Sequence, residues 1–195
     1  MKMKLIITGY GTVGKSLIKI FVNQADFLLN KYQFEPVVIA ICELKGCLVD
    51  PNGLNLKEIM ESKDIKSVST WKEGLTAEEV LKKYEADALI EMTWTNPENG
   101  KPAIDYIRTA LSTNKHVVSS NKGPFYLFYK ELKELVNENI EKNEKLNQQK
   151  EEITAQRDEI ESQRDQILER NEELNQKNEE IASQRDKIIK QRDIL

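Results

Sequence analysis

From Leu146 to Leu195 an aliphatic residue returns at every seventh position: Leu146, Ile153, Ile160, Ile167, Leu174, Ile181, Ile188 and Leu195. Leu132 stands in the same phase, with Asn139 the one interruption, and the triplet Gln-Arg-Asp repeats in register at 156–158, 163–165, 184–186 and 191–193. A strict seven-residue repeat over many turns keeps one stripe in line only if helices supercoil left-handedly around each other, so the pattern predicts a coiled coil. With the aliphatic row at position d, position a holds Arg157, Arg164, Asn171, Asn178, Arg185 and Arg192, and only half of the seam is apolar. Polar a positions weaken a coil but fix its register, and Asn there favours a parallel dimer. The expectation is a homodimer through residues 146–195, about 100 Å long if the 65 residues from Glu131 form one straight helix. The competing arrangement is a lone solvated helix carrying i,i+4 ion pairs at Glu138–Lys142, Glu173–Lys177 and Asp186–Lys190; like-charge pairs at Glu161–Asp165 and Glu169–Glu173 count against it.

The rest of the chain is built of different material. All eight Gly, all five Pro and all thirteen aromatic residues fall at or before Tyr129. Lacking the large side chains that fill a core, the tail buries apolar surface only against another helix. It carries 12 Lys+Arg against 18 Asp+Glu, while the first 130 residues carry 17 against 15. Neither part is basic enough for a nucleic-acid surface. Cys42 and Cys47 do not make a disulfide framework and lack the spacing of a metal knuckle, so reduced thiols and no metal are expected. No apolar run of signal-peptide type follows Met1, and no stretch approaches the ~20 apolar residues of a membrane span. The expected location is cytoplasmic, with no membrane partner.

Strands and helices alternate before the tail. Leu5–Thr8, Val37–Cys42, Asp87–Met92 and His116–Ser120 are short apolar runs of the buried-strand kind. Val13 to Leu29, Leu54 to Ser62, Thr76 to Tyr84 and Lys101 to Ser112 have helical rhythm, with Pro102 in the first turn of the last, and a final helix starts after Gly123-Pro124. The expected fold is α/β, a Rossmann-type doubly wound parallel sheet over 1–130, followed by a long α-helical coiled coil over 131–195.

One motif carries chemistry. Gly9-Tyr10-Gly11-Thr12-Val13-Gly14 is a G-x-G-x-x-G placed after a strand and at the mouth of a helix. There Gly9 permits a sharp turn, Gly11 lets backbone approach a pyrophosphate, and Gly14 lets the helix pack close to the strand, while the helix N-terminus offers free N–H groups to phosphate. An acidic residue after the second strand suits the ribose of NAD; Glu43 stands there, 29 residues past Gly14, and its neighbour Lys45 suits a 2′-phosphate instead. The expected cofactor is NAD or NADP.

Four blocks then resemble, in order and at family spacing, the front of homoserine dehydrogenases: the glycine motif; Cys42-Glu43-Leu44-Lys45-Gly46 leading into Asp50-Pro51-Asn52-Gly53-Leu54; Glu91-Met92-Thr93-Trp94-Thr95-Asn96 with Gly100-Lys101-Pro102-Ala103; and Lys115 through Pro124. The resemblance covers residues 1 to about 136. It implies an NAD(P)-dependent interconversion of homoserine and aspartate semialdehyde. It further implies that Gly9, Gly11, Gly14, Thr12 and Val13 hold the pyrophosphate, that Thr93, Thr95 and Asn96 lie beside the nicotinamide ribose, and that Asn121 and the reaction-centre Lys122 follow the fourth strand. An ammonium beside a carbinol polarises its oxygen or relays its proton during hydride transfer. His116, which opens a strand without an acidic neighbour, is expected to be structural.

Family members continue into a substrate domain with the homoserine pocket, a second lysine and carboxylates, where this sequence runs into the heptads. The tail itself resembles the linker coiled coils of bacterial membrane-associated sensor kinases, without a phosphoacceptor histidine. Three readings follow: a dehydrogenase front end whose turnover needs a separate substrate-domain partner, a nucleotide-binding or scaffold module dimerised by the coil, and a chimera of two parts that did not evolve together.

Overall fold

The computed structural model describes the backbone of residues 1–192 and the side chains of residues 1–185. The heptad positions Ile188 and Leu195, the a-position side chain of Arg192 and the Asp186–Lys190 pair lie outside what is described. The chain divides into two compact units, Met1–Glu141 and Lys142–Leu195.

The first unit is a six-stranded sheet in the order β4 (Trp71–Glu73), β3 (Gly46–Val49), β2 (Glu35–Glu43), β1 (Lys2–Thr8), β5 (Ala88–Glu91), β6 (His116–Ser119). Strands β1 (Lys2–Thr8), β2 (Glu35–Glu43), β5 (Ala88–Glu91) and β6 (His116–Ser119) are parallel neighbours, with β1 between β2 and β5. Helices α1 (Thr12–Asn23) and α3 (Leu56–Glu61) cover one face, where Ile18, Phe21 and Ile59 meet Leu5, Ile7 and Ile41. Helices α4 (Ala77–Lys83) and α5 (Ala103–Ser112) cover the other, where Val80, Leu81, Tyr106 and Ala110 meet Ile6, Ala40 and Leu89. This is the Rossmann-type α/β architecture, with the strand order reversing direction about β1.

Three details differ from the sequence expectation. The sheet is mixed, because β3 (Gly46–Val49) and β4 (Trp71–Glu73) add antiparallel strands beyond β2. The hairpin closes tightly at Gly46, where a Cβ would fall 2.4 Å from the Lys72 carbonyl oxygen. Second, the helix expected from Val13 to Leu29 breaks at Gln24 into α1 and α2 (Ala25–Tyr32). The core-facing positions Gly14, Ile18 and Phe21 would continue to the small Ala25, whereas the large apolar residues are Phe27, Leu28 and Leu29; redirecting the chain brings Leu28 and Phe34 against the same core. Third, the helix after the last strand is two helices, α6 (Lys122–Leu127) and α7 (Tyr129–Arg192), separated at Phe128. That break sets the Phe128 ring beneath the Arg108 guanidinium, 4.8 Å from the ring centre, and against Gly100.

The first turns of α7 belong to the α/β unit. Leu132 is buried with Ile104, Ile107 and Leu111. Glu131 receives a forked pair of hydrogen bonds from Arg108, 2.6 and 2.8 Å, which holds its carboxyl below the usual range and raises the guanidinium. Asn139, the interruption in the heptad row, donates its side-chain amide to the Leu111 carbonyl at 2.6 Å, a second bond on an oxygen that also accepts the Asn114 N–H at 3.0 Å.

In the second unit the described residues are helical up to Arg192. The heptad side chains from Leu146 to Ile181 are 50–65% exposed. Glu173 and Lys177 stand at ion-pair spacing without forming a pair, and no salt bridge occurs among the described residues of this unit. No helix among the described residues is long and apolar enough to cross a membrane.

Candidate functional site

The carboxyl ends of β1, β2, β5 and β6 open onto one region, the crevice where sheets of this type bind ligands. The three glycines of the first loop differ in their reasons for being there. Gly9 has φ +90°, and a Cβ on it would fall 2.6 Å from the Met92 carbonyl oxygen. A Cβ on Gly14 would fall 2.4 Å from the Gly9 carbonyl oxygen. Both are required by the fold. Gly11 has an ordinary φ of −76°, and a Cβ there meets nothing within 4 Å. Nothing in the protein itself demands glycine at this position.

Gly11 lies between two cavities. The larger, about 600 Å³, is lined by Lys15, Lys19, Lys45, Lys63 and Lys66 together with the acids Glu43 and Asp64. The smaller, about 230 Å³, lies between Gly9, Cys42, Met92, Thr93, Trp94 and Tyr106, and Glu43 borders it too. Helix α1 begins at Thr12 with no side-chain cap and no acidic residue in its first turn, whereas α3, α4 and α6 are capped by Asn55, Thr76 and Asn121. Its leading N–H groups and dipole therefore remain open to an anion.

Glu43, at the end of β2, accepts a hydrogen bond from the Tyr10 N–H, and the Gly9 N–H donates to the Cys42 carbonyl at 2.9 Å, so β2 holds the glycine loop in place. Lys45 is exposed in the turn between β2 and β3. Thr12 and Val13 are exposed in the first turn of α1. Thr93 borders the smaller cavity, while the exposed Thr95 abuts Gly123. The Asn96 side chain accepts from the Glu98 and Asn99 N–H groups and shapes the turn before α5. Asn121 is buried, capping α6 through Gly123 and donating to the Trp94 carbonyl at 3.2 Å. Lys122 follows it, exposed at the start of α6. His116 is exposed at the start of the edge strand, its N–H on the Asp87 carbonyl.

Beneath these loops runs a polar row that sequence reasoning did not single out. Strand register places Cys42, Thr8, Glu91 and Ser119 side by side on β2, β1, β5 and β6. Cys42 faces Cys47 on β3; their hydrogen bond, with burial, pushes the Cys42 thiol well up, so it is held as an unreactive thiol. Tyr106 lies over the row, its hydroxyl pushed up to about 12 by burial, with Glu78 the next contributor. The Thr8 hydroxyl is fully buried and has no partner. Glu91 is also fully buried, its carboxylate accepting from the Thr93 N–H at 2.8 Å, the Thr93 hydroxyl and the Ser119 hydroxyl at 2.6 Å. The signal in the sequence was a charge ending the apolar run Ala88-Leu89-Ile90. No group of His, Cys, Asp and Glu able to hold a metal ion occurs among the described residues.

Known proteins share this unit. A homoserine dehydrogenase of Methanocaldococcus jannaschii is 37% identical over 134 residues, 67% of this chain and 40% of the relative, and an NAD(+)-dependent homoserine dehydrogenase of Pseudomonas canavaninivorans is 31% identical over 137 residues, 68% and 39%. The N-terminal portion of the chain is homologous to homoserine dehydrogenases. The chain thus spans about 40% of the length of the curated relatives it matches. No family model matches it. Among solved structures, a hyperthermophilic archaeal homoserine dehydrogenase in complex with NADPH aligns with TM-score 0.58 at 26% identity, covering 71% of this chain and 42% of that one. The homoserine dehydrogenase of Thermoplasma acidophilum aligns with TM-score 0.60 at 19% identity, covering 71% and 41%, a likeness of fold alone.

Proposed function

We propose that the α/β unit is an NAD(P)-binding domain of homoserine dehydrogenase type, paired with a second copy through the heptad row of the tail. The observation that carries the first part is Gly11. It is a glycine with no conformational or packing need, between two cavities and beside an uncapped helix N-terminus, and that suits a pyrophosphate lying across the loop. The larger cavity then takes the adenosine end and the smaller the nicotinamide end. Five lysines around the former against two acids, Glu43 engaged by the Tyr10 N–H and Asp64 by the Lys66 N–H, favour the 2′-phosphate of NADP(H) over the free ribose of NAD(H).

The bound dinucleotide supplies hydride exchange at its nicotinamide. In the oxidation of homoserine to the semialdehyde the carbinol carbon would give its hydride to the oxidised nicotinamide and its oxygen would lose a proton to water; Lys122, after β6, is the group we assign to polarise that oxygen and relay the proton. Asn121 holds the start of α6 and Thr93 faces the nicotinamide end. Turnover needs homoserine held against this edge at near-attack distance, and a separate substrate-domain partner is the proposed source of that pocket. Dimerisation rests on the aliphatic row, whose described members from Leu146 to Ile181 are at least half exposed.

The test is a fluorescence titration of the whole protein with NADPH and NADH, with Gly11→Asp as control. Saturable binding, tighter for NADPH, lost in a variant whose melting is unchanged, supports the reading. Equal titration curves for wild type and variant, or none for either, overturn it.

A further inference from the structure

A carboxylate at the buried end of an apolar strand is costly unless its neighbours repay the lost water. At Glu91 the repayment comes from hydroxyl and backbone N–H groups. One carboxylate oxygen takes both the N–H and the hydroxyl of Thr93, in the loop after β5. The other takes the hydroxyl of Ser119, at the end of β6. Ser119 Oγ in turn accepts the Asn121 N–H at 2.9 Å, and Asn121 Nδ2 donates to the Trp94 carbonyl at 3.2 Å. The bonds close a ring from Glu91 through Thr93 and Trp94, across to Asn121, and back through Ser119. A leucine at position 91 would serve the strand equally well. What it would not do is tie the loop after β5 to the loop after β6.

We infer that Glu91 is the positioning residue of the nicotinamide end, fixing Thr93 to Asn96 and Asn121-Lys122 as one piece. The inference rests on the dinucleotide reading above. Glu91 reaches the ligand only through Thr93 and Asn121. An amide in its place keeps an acceptor for the Thr93 N–H but turns its other arm into a donor, so the Ser119 hydroxyl must turn over to accept it, with only the Asn121 carbonyl at 3.4 Å left for its own proton, and the charge-assisted bond that joins the two loops is lost.

The experiment measures wild type, Glu91→Gln and Ser119→Ala against two ligands, NADPH and 2′-phospho-ADP-ribose, which shares the adenosine end and lacks the nicotinamide. Glu91→Gln is expected to weaken NADPH about tenfold or more while leaving the fragment within about twofold, and to shift the emission of bound NADPH. Ser119→Ala, which removes both ring bonds of the Ser119 hydroxyl but leaves Glu91 joined to Thr93, is expected to act in the same direction by about threefold. A Glu91→Gln protein that binds NADPH as wild type does overturns the inference. So does one that loses both ligands together with its melting transition while Ser119→Ala leaves NADPH untouched, since that is the behaviour of a residue needed only for folding. Wild-type protein that binds the fragment but gains nothing from the nicotinamide overturns this inference alone; wild type that binds neither ligand overturns the dinucleotide reading and this inference with it.

Discussion

The two units bury their apolar residues on different terms. In the α/β unit, side chains such as Ile6, Ile18 and Leu89 are sealed by elements of the same chain. In the helical unit every described aliphatic residue of the heptad row is at least half exposed. A core closed within one chain tolerates buried polar groups such as Glu91, because neighbouring strands supply their partners. A stripe open to solvent has only one way to gain stability, which is association, and its polar a positions then serve register more than strength.

The sharpest way to break this contrast is at the stripe. Replacing Ile160 and Ile167 with Asp is expected to remove on the order of 6 kcal/mol or more of association per dimer, since each buried isoleucine contributes roughly 1.5–3 kcal/mol. Sedimentation should then show monomers, with helical dichroism falling and the melting of the α/β unit unchanged. A dimer that survives both charges would place the interface elsewhere.

Inside the α/β unit the next largest effects are local. Ile18→Ala, at a fully buried position, should cost about 2–5 kcal/mol by denaturant melting without changing the oligomeric state. Gly14→Ala is expected to destabilise comparably, because its Cβ meets the Gly9 carbonyl, while Gly11→Ala should leave stability unchanged and weaken dinucleotide binding. If Gly11→Ala melted like Gly14→Ala, the glycine would be structural after all.

Alkali offers a gentler probe. The Tyr106 hydroxyl is raised to about 12 in the folded chain against about 10 when exposed. A raised pKa means that the folded state favours the protonated form. The resulting stability is fully present below about pH 10 and is lost as pH rises towards 12. Stability of wild type should therefore fall through that window, and Tyr106→Phe should flatten the fall; tyrosinate absorbance should lose its late-ionising component at about 12 in that variant, while Tyr10, also raised by burial, keeps its own.

The smallest effect is at Glu131. Its lowered carboxyl pKa contributes stability above the unfolded value, about 4.3, which is lost as pH falls through the folded one. The pair is largely solvent-facing, so Glu131→Gln should cost up to about 1 kcal/mol at neutral pH and low salt, and nothing in acid. A cost that persists in acid would assign the effect to packing.

Much of this was legible in the residues. The four parallel strands announce themselves as apolar runs, and the glycine motif sits between the first strand and α1. The antiparallel extension was not legible, although Gly46-Cys47-Leu48-Val49 is itself an apolar run; four residues beside Asp50-Pro51-Asn52-Gly53 look like loop, and β4 is too short to show a period. The break at Gln24 depends on where Leu28 and Phe34 find space, which no helical rhythm encodes. At the site the glycine loop was legible from its motif and the loops after β5 and β6 from the resemblance, while the polar row of Glu91 and Ser119 and the place of Tyr106 over it follow from strand register and packing. Lys63 and Lys66 reach the larger cavity from the stretch around the short 3-10 turn Ile65–Ser67, far in sequence from the glycine loop.

The first turns of α7 do more than close a corner of the core. Winding an isolated helix is limited by its first turn, in which several residues are fixed for a single hydrogen bond; later turns cost far less. Leu132, the Arg108–Glu131 fork and the Asn139 amide hold those opening turns against α5. The folded domain therefore acts as a template that starts α7, and the turns beyond it have only to lengthen what has already begun.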